Sequence, residues 1–454
     1  MTTTPLSSVL VPFFEALDEN KLPYCVCGNY ERLPEFTSHD VDIWAENAEK
    51  AARLLYRTAE RQGFEVHLVN KTDEGSNVFL HKTMDDGTIE FVRIDLMQRC
   101  AWLSVFPLVS AQNIKKDRRQ LRMFYVPDPP VEASMQLLYP LITNGRVKDK
   151  YKELILAWLH HPTLLNMSNR ALGRRHAKRL VRQIEDEDWD GIASSVLRLR
   201  LSVMGRSVFA NMNAAGICTL FRTIKWYVRR LIRHNGLLIV FLGPDGCGKS
   251  TLCERIPVVL QEAFMPGRVR RFYWRPMLLP PIEKLLSILG VKSRESQSPT
   301  VHQSTLPADN RIVSAIRFVY YWLDFVIGRV EFYSTWARGG IVCFDRYYHE
   351  FFVYPQRFRL NLGLSVPKAF MPLVPRPDLI FNLRADPGEL MRRKPEISLN
   401  ELERQLNAYS SLLSCSSNAH EINVGQPIDD VIRDVTVIIL DFMTQRETKR
   451  RENS

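Results

Sequence analysis

The sequence predicts an α/β protein with a parallel sheet in its C-terminal half, an α+β domain at its N-terminus and a helical region between them. Three observations support this prediction. Beyond residue 236, apolar strand-like runs alternate with helical sequence, a pattern typical of a parallel sheet covered on both faces. In the first hundred residues, short strands separated by turn residues mix with amphipathic helical spacing. Between these two parts, the apolar spacing is mostly helical.

The individual elements follow from these patterns. Helical spacing of apolar residues is found at 7–17 and 45–62, and later at 131–141, 151–159 and 428–444. Strand-like runs in the N-terminal part occupy 24–27, 41–44, 64–69, 77–81 and 88–97. Those in the C-terminal part occupy 237–242, 341–344, 379–383 and 419–423. We expect the second set to form the parallel sheet.

Chain length and breaker residues predict the domain boundaries. A chain of 454 residues is expected to form two or three domains. The run Pro127-Asp128-Pro129-Pro130 interrupts regular structure and marks one boundary. We therefore predict an α+β domain at 1–126, a helical connecting region at 127–235 and a domain with a parallel sheet at 236–446. The charged residues 447–454 are expected to form a disordered tail.

The net charge indicates an anionic partner without naming it. Lys and Arg outnumber Asp and Glu by 61 to 50, which gives a formal net charge of +11. Such a balance favours phosphate, nucleic acid, acidic glycan or a membrane surface. The segment 220–234 mixes aromatic residues with several arginines. It is interpreted either as a helix lying on an anionic membrane or glycan surface or as a helix packed against a neighbouring domain.

The cysteines and the apolar runs predict a cytoplasmic protein. Eight cysteines are scattered without the paired spacing of a zinc site, and we expect all of them to be reduced. The N-terminus lacks the basic and apolar regions of a secretory signal. The most apolar long stretch, 316–336, contains four charged residues and is expected to be a buried helix rather than a membrane span.

The run GPDGCGKST directly follows the apolar strand at 237–242 and matches the complete P-loop pattern GxxxxGK[ST]. Backbone N–H groups of such a loop surround phosphates, and the following helix N-terminus adds positive potential. We expect Lys249 to reach the β- and γ-phosphates of ATP and Ser250 to bind Mg²⁺. The residues predicted to contact the nucleotide are Gly243, Asp245, Gly246, Cys247, Gly248, Lys249, Ser250 and Thr251.

A second motif, Asp345-Arg346-Tyr347, stands at the end of the strand at 341–344. Ligands of parallel sheets bind beyond the carboxyl ends of the strands. Asp345 is therefore expected to face Mg²⁺ or an acceptor hydroxyl, and Arg346 to neutralise phosphate charge. A surface ion pair at the strand end is the alternative interpretation, which the P-loop upstream in the same domain disfavours.

These motifs, together with Arg376-Pro377-Asp378-Leu379 and the basic residues Arg392, Arg393 and Lys394, resemble thymidylate kinase over about residues 237–443. The resemblance implies a P-loop kinase that transfers the γ-phosphoryl group of ATP to an acceptor. It further implies that Asp245 contacts the acceptor, that Arg392 or Arg393 closes over the phosphates, and that Arg275 binds an acceptor phosphate.

Two departures from that family concern the acceptor. After Asp345-Arg346-Tyr347, this chain has His349-Glu350-Phe351 in place of the Ser and Ala-Tyr-Gln segment of thymidylate kinases, and Phe325 follows Asp324 where they carry Arg. Both elements contact thymidine nucleotide in that family. We therefore expect dTMP to be a poor acceptor, whereas the ATP site is complete.

A second constellation lies near the N-terminus. Asp40 and Asp42 share one face of a strand because side chains at i and i+2 point the same way, and Asp95 stands on another predicted strand. Three such carboxylates can hold two Mg²⁺ ions for attack on a nucleoside triphosphate. With Gly28-Asn29 before them, they resemble the minimal nucleotidyltransferase fold, in which Ser usually stands at the position of Asn29. Exposed acidic strand ends and a non-catalytic domain of that fold remain alternatives.

The sequence thus predicts an ATP-dependent kinase acting on a small or glycan-linked acceptor, with a second nucleotidyltransferase-like site. The pairing of these two domains resembles proteins associated with surface-polysaccharide synthesis, which implies a sugar or glycan-linked acceptor. A nucleoside monophosphate kinase and a non-catalytic ATP-binding regulator are the alternatives. Nucleic-acid binding rests on net charge alone and is the least favoured.

Overall fold

The computed structural model describes residues 4–37, 40–72, 75–102, 106–210, 236–261, 263, 269–280, 282, 310–337, 339–395, 397–414 and 416–452. The chain divides into two compact units. Unit 1 comprises residues 1–232 with 444–454, and unit 2 comprises residues 233–443. Of the helical connecting region expected at 127–235, the described residues 127–210 belong to unit 1. The segment 220–234 lies outside the described residues.

Unit 1 is built on a five-stranded mixed sheet in the order β1-β2-β5-β4-β3. Its strands are β1 (Tyr24–Val26), β2 (Val41–Ala45), β3 (Glu65–Thr72), β4 (Gly75–Thr83) and β5 (Ile89–Met97). The central pair, β2 and β5, is parallel and places Asp42 directly beside Asp95. Two helices, α1 (Pro5–Glu19) and α2 (Ala48–Arg61), contribute apolar side chains such as Phe13 and Leu55 to the core beneath the sheet.

The remainder of unit 1 is largely helical. Two short hairpins, β6–β7 (Cys100–Trp102, Phe106–Val109) and β8–β9 (Arg118–Leu121, Phe124–Pro127), flank the short helix α3 (Ala111–Lys116). The helices that follow are α4 (Pro129–Asn144), α5 (Lys152–Ala157), α6 (Pro162–Leu172), α7 (Arg174–Glu185) and α8 (Trp189–Ala210), with a 3-10 turn at Asp149–Tyr151. Their apolar faces share a core with Cys25, Cys27 and Trp44.

Unit 2 contains a five-stranded parallel sheet in the order β11-β12-β10-β13-β14. Its strands are β10 (Leu237–Leu242), β11 (Val269–Phe272), β12 (Ile341–Asp345), β13 (Leu379–Arg384) and β14 (Ala419–Asn423). All six residues of β10 are buried, as expected for a central strand covered on both faces. The parallel sheet predicted from alternating strands and helices is confirmed.

The described helices of unit 2 lie between or after these strands, and the last of them continues into unit 1 from residue 444. They are α9 (Lys249–Val259), α10 (Arg311–Ala337), α11 (Glu350–Val353), α12 (Ser365–Phe370), α13 (Pro387–Arg393), α14 (Leu399–Leu413) and α15 (Ile428–Glu452), with 3-10 turns at Pro355–Phe358 and Met371–Leu373. The stretch 316–336 lies inside α10, whose buried residues include Arg317 and Asp324. Among the described residues, none of the helices has the length and apolarity that crossing a membrane requires.

The prediction of a disordered tail at 447–454 is wrong for the described residues 447–452. Residues 447–452 continue helix α15 instead of forming a disordered segment. Arg451 approaches Glu60 to 3.3 Å and lies 5.1 Å from the ring centroid of Tyr56, and Glu447 is buried. The charged sequence indicated a solvated tail. Instead, the contacts with α2 pair charged side chains of this segment within unit 1.

The six cysteines in the described ranges, Cys25, Cys27, Cys100, Cys247, Cys253 and Cys343, are free and buried. Cys218 and Cys415 lie outside those ranges. Burial raises the pKa of the Cys343 thiol to about 12, so this sulfur is a neutral, apolar core atom at physiological pH.

Candidate functional site

The P-loop of unit 2 joins the end of β10 to the start of α9. Gly243, Gly246 and Gly248 have φ angles of 140°, 89° and 83°, in the region that glycine adopts at little cost. A Cβ added at Gly243 would lie 2.7 Å from the carbonyl oxygen of Leu383 on the neighbouring strand β13. The loop therefore needs glycine both for its backbone conformation and for its close approach to the sheet.

Lys249 is the first residue of α9, and its side chain folds back into the loop. Its Nζ donates hydrogen bonds to the carbonyl oxygens of Gly243 at 2.8 Å and Pro244 at 2.7 Å, and the residue is only 4% exposed. Asp245 Oδ1 lies 3.7 Å from the same nitrogen. The loop thus holds one ammonium group at the position where a P-loop binds nucleotide phosphates.

Ser250 and Asp345 form the second part of this site. The hydroxyl of Ser250 donates a hydrogen bond to Asp345 Oδ2 across the gap between α9 and the end of β12. The other carboxylate oxygen of Asp345, Oδ1, is buried and has no hydrogen-bond partner. A hydroxyl beside a carboxylate oxygen that is buried and accepts no hydrogen bond is a ligand set that suits Mg²⁺, which prefers oxygen ligands.

Asp245 connects the P-loop to two arginines. Its Oδ1 accepts a hydrogen bond from Arg346, and its Oδ2 accepts one from Arg357. Burial alone would raise the pKa of Asp245, but the positive charges of Lys249, Arg346 and Arg357 together hold it below its ordinary value. Asp245 is therefore an anion that orders three cations around the mouth of the loop.

Two further charged residues, Arg357 and Glu350, belong to this cluster, and no sequence pattern predicts a role for either of them here. Arg357 lies in the 3-10 turn Pro355–Phe358, and its guanidinium is 3.8 Å from the buried carboxylate of Glu350. Glu350 Oε2 is also 3.9 Å from Arg346, and its Oε1 accepts a hydrogen bond from Tyr409 on α14. Nothing in the local sequence distinguishes Arg357 from the many other arginines of this chain, because only the folded turn brings it to Asp245.

Arg346 itself is held in an unusual conformation. Its φ angle is 76°, and its guanidinium lies 4.9 Å from the ring centroid of Tyr273 and 3.7 Å from Asp345. A positive φ at a residue other than glycine is a sign of local strain that often accompanies function. The backbone N–H of Arg346 donates to the carbonyl of Phe241 on β10, which anchors the motif to the central strand.

Arg275 is engaged in an internal ion pair. Its guanidinium is 2.5 Å from Asp324 on α10, and the same carboxylate accepts hydrogen bonds from the backbone N–H groups of Met277 and Leu279. The residue is 8% exposed, and Asp324 is fully buried. In this arrangement, Arg275 positions the segment 275–279 against α10, while its role as an acceptor contact remains a proposal.

The basic end of helix α13 lies against the P-loop. A Cβ added at Gly246 would be 3.1 Å from Cβ of Lys394 and 3.9 Å from Cβ of Arg393. Arg393 is paired with Glu389 at 2.5 Å and donates to the carbonyl of Val424 at 3.0 Å. Both predicted lid arginines are exposed, and the close approach to Gly246 involves Arg393 and Lys394.

In unit 1, the structure brings Asp40, Asp42 and Asp95 together. One carboxylate oxygen from each lies within 4.8 Å of the others. Arg93 bridges two of them, at 3.2 Å from Asp40 and 2.9 Å from Asp95. Burial, with the charges of Asp40 and Asp95, raises the pKa of Asp42 to about 8. This concentration of acidic groups suits a divalent cation, which would relieve the mutual repulsion.

The turn after β1 lies beside the strand that carries Asp42, because the backbone N–H of Cys27 donates a hydrogen bond to the carbonyl of Asp42. Gly28 and Asn29 have positive φ angles of 121° and 57°. A Cβ at Gly28 would lie 2.7 Å from the hydroxyl of Tyr151, so only glycine fits. The Nζ of Lys150, which the sequence analysis did not single out, donates a hydrogen bond to the side-chain oxygen of Asn29. The hydrogen bond to Asn29 thus holds the Lys150 ammonium group close to the strand that contains Asp42.

Comparisons with known proteins concern about half of the chain. No protein-family model matches it. Over 226 residues, 47% of this chain is 27% identical to thymidylate kinases from Xanthomonas oryzae pv. oryzae strains PXO99A and MAFF 311018, covering 88% of each. This likeness supports a nucleotide kinase type of phosphotransferase.

Two solved structures are also similar to the chain. Thymidylate kinase from Ehrlichia chaffeensis is 17% identical with a TM-score of 0.32, and the match covers 45% of this chain and 99% of that one. Thymidylate kinase from Candida albicans is 16% identical with a TM-score of 0.34, and the match covers 47% and 94%.

Proposed function

We propose that unit 2 is an ATP- and Mg²⁺-dependent kinase that transfers the γ-phosphoryl group to an acceptor. The observation that carries this proposal is the pairing of Ser250 with Asp345 beside Lys249, in a loop that matches the P-loop pattern throughout. The likeness to thymidylate kinases supports it.

Each residue has a separate task in this proposal. Lys249 neutralises the β- and γ-phosphates, and the backbone N–H groups of the loop from Gly243 to Thr251 surround them. Ser250 and Asp345 would hold Mg²⁺, which supplies charge neutralisation at the phosphates. Arg346 stabilises the charge that spreads over the transferred group, since phosphoryl transfer depends mostly on positioning and electrostatics. Arg392 or Arg393 would close over the phosphates.

The acceptor is proposed to be a small anionic molecule. Arg346 pairs with Asp245 Oδ1, which Lys249 also approaches, and Arg357 pairs with Asp245 Oδ2. A phosphate or carboxylate bound beside Asp245 would therefore meet two guanidinium groups. The thymidylate kinase relatives favour a nucleoside monophosphate. The combination with a nucleotidyltransferase-like domain favours a sugar or glycan-linked acceptor, as the sequence resemblance implies. Arg275 is a further candidate acceptor contact.

The test is release of ADP from ATP and Mg²⁺ with one added acceptor at a time. The panel contains nucleoside monophosphates, sugars and sugar phosphates, and the Asp345→Asn variant is the control. We expect acceptor-dependent ADP release with at least one compound and little with dTMP. Turnover with dTMP of about 1–100 per second, the usual kinase range, would show that the missing thymidine-contacting segments do not matter.

ATP binding without acceptor-dependent turnover would contradict the kinase proposal. Calorimetry measures binding independently of turnover. If the full panel gives none while ATP binds normally, the result favours the alternative of a non-catalytic ATP-binding regulator.

A second activity is proposed for unit 1 because Asp40, Asp42 and Asp95 converge. The three carboxylates would hold Mg²⁺ or Mn²⁺ for nucleotidyl transfer from a nucleoside triphosphate. The first test is Mn²⁺ binding by calorimetry to wild type, Asp42→Asn and the control Asp85→Asn, whose carboxylate is exposed and outside the group. Loss of Mn²⁺ binding in Asp42→Asn alone supports the metal site, and equal binding in all three proteins removes it.

A further inference from the structure

A basic groove between α7 and α8 in unit 1 has no part in either proposed activity. It encloses about 690 Å³. Its five cationic side chains, all exposed, are Arg175, Lys178, Arg179, Arg182 and Arg198. Among the residues that the structure describes, none of these five forms an ion pair or a hydrogen bond with another side chain. Five uncompensated charges around one groove repel one another, and a ligand that carries negative charge would relieve that repulsion.

The spacing of the cations makes the groove a continuous row. Arg175, Arg179 and Arg182 lie at i, i+4 and i+7 on α7, so they share one helix face. Seven residues of helix extend about 10.5 Å at 1.5 Å per residue. The opposite face of α7 carries the buried residues Leu180 and Ile184. The row of cations therefore faces away from the core of unit 1. Arginine predominates, and its planar guanidinium suits phosphate oxygens better than a lysine ammonium does.

A second, independent feature lies beside the groove on α8. Leu197, Leu201 and Met204 are 68%, 59% and 38% exposed. Their spacing at i, i+4 and i+7 places them on one helix face, whereas Leu199 and Val203 of the same helix are buried. Arg198 adjoins this apolar row and also lines the groove. Exposed apolar side chains of this size next to a dense cationic row are costly in water unless a partner covers them.

We propose that α7 and α8 form a docking surface for an anionic lipid membrane. The cations of the groove meet lipid phosphates, and Leu197, Leu201 and Met204 enter the boundary between headgroups and acyl chains. Charge and apolarity together select this occupant, since peripheral helices combine a Lys/Arg-rich face with Leu-type side chains for this purpose. A nucleic acid would use the cations and leave the apolar row of α8 uncovered, and His176, which also lines the groove, is engaged by Ser202 at 3.2 Å.

The test is co-sedimentation of the full chain with vesicles of phosphatidylcholine, alone or mixed with phosphatidylglycerol. Wild type should bind the mixed vesicles, bind phosphatidylcholine weakly, and be released by salt because screening weakens surface charges. Removing two groove cations in Arg179→Gln/Arg182→Gln should weaken partitioning roughly 25-fold, at roughly five-fold per cation. Leu201→Gln should also weaken it, because an apolar contact is lost.

The matched control is Lys50→Gln/Arg61→Gln, which removes two exposed cations from α2 outside the groove and should change binding little. All three variants alter exposed residues, and circular dichroism verifies that they fold. Equal binding of both double variants would overturn the proposal and assign any vesicle binding to another segment, such as 211–235. The membrane proposal would also be overturned if Leu201→Gln bound vesicles as well as wild type does and the groove bound tripolyphosphate or an oligonucleotide tightly. That result would favour a soluble polyanion as the ligand.

Discussion

Lys249 and Asp345 differ in how they would act on ATP, and this difference is measurable. Lys249 is buried against the loop carbonyls, where its charge is available to bound ATP and to the transition state alike. Asp345 keeps one buried oxygen without a hydrogen bond, which is available to a metal ion or an acceptor hydroxyl. Lys249 is therefore expected to contribute to both ATP binding and turnover, whereas Asp345 is expected to contribute mainly to turnover.

We expect Lys249→Ala to lose both ATP affinity and turnover, and Asp345→Asn to bind ATP nearly normally but to lose turnover. Preorganised groups of this kind are worth about 2.7–4 kcal/mol, or roughly a hundred- to a thousand-fold in rate. Calorimetry for ATP affinity, beside coupled ADP release, makes the comparison. Unchanged ATP affinity in Lys249→Ala, or full turnover in Asp345→Asn, would mean that the site is wrongly assigned.

His349 predicts a pH dependence of the stability of unit 2. It is 3% exposed, its Nδ1 has no hydrogen-bond partner, and burial lowers its pKa from 6.5 to about 4. Because the folded state binds this proton less tightly than the unfolded state, the stabilisation is present above pH 6.5. It is lost as the pH falls towards 4 and amounts to roughly 3 kcal/mol.

Replacing His349 by Gln should therefore flatten the fall in the free energy of unfolding between pH 6.5 and 4, as measured by urea unfolding. His160→Gln is the control, because that imidazole is 72% exposed and lies in unit 1. An equally steep acid dependence in His349→Gln and in wild type would show that other groups control acid unfolding.

At the scale of elements, helix α14 supports the Asp345-Arg346 motif from a distance. The hydroxyl of Tyr409 donates to Glu350 on α11, and Glu350 in turn approaches Arg346 and Arg357. Both Tyr409 and Glu350 are almost completely buried. This contact joins two helices that are far apart in the chain and fixes the carboxylate that faces both arginines.

Tyr409→Phe should reduce the free energy of unfolding of unit 2 by about 1–3 kcal/mol, because it leaves a buried carboxylate without one of its partners. ATP affinity should change little, since the P-loop itself is untouched. The control is Tyr333→Phe on α10, a partly exposed residue, and both are measured by urea unfolding. Equal stability of the two variants would show that Glu350 does not depend on this hydrogen bond.

At the scale of the whole molecule, the two candidate sites belong to different compact units. The P-loop lies in residues 233–443, and the three carboxylates lie in residues 1–232. Among the described residues, the side chains in contact with Lys249 and Asp345 belong to unit 2, whereas Arg93 and Lys150 belong to unit 1. We therefore expect the two sites to bind their ligands independently.

Hydrogen exchange measures this independence directly. ATP with Mg²⁺ at about a hundred times its Kd should stabilise unit 2 by about 2.7 kcal/mol and protect peptides around 243–251 and 345–350. Lys249→Ala should remove that protection and leave Mn²⁺ binding by unit 1 unchanged. Loss of Mn²⁺ binding in Lys249→Ala would instead show that the two sites are coupled.

The sequence alone determined the features that short stretches encode. The P-loop is one contiguous motif, and its glycines, Lys249 and Ser250 lie where the pattern predicts them. The parallel sheet followed from continuous apolar strands such as β10. Alternation along a strand predicted that Asp40 and Asp42 point the same way; Asp40 lies one residue before β2, and the two carboxylates do come together. In each case the information is local, since backbone conformation and side-chain period depend on near neighbours.

Only the tertiary structure decided which distant residues meet. Arg357 reaches Asp245 from 112 positions away, and Arg451 reaches Glu60 from 391 positions away. The parallel register of β2 and β5 sets Asp95 beside Asp42. A charged side chain has the same sequence signature whether it is solvated or paired. Its partner is chosen by strand register and by how helices pack, and these depend on the whole unit rather than on any local pattern.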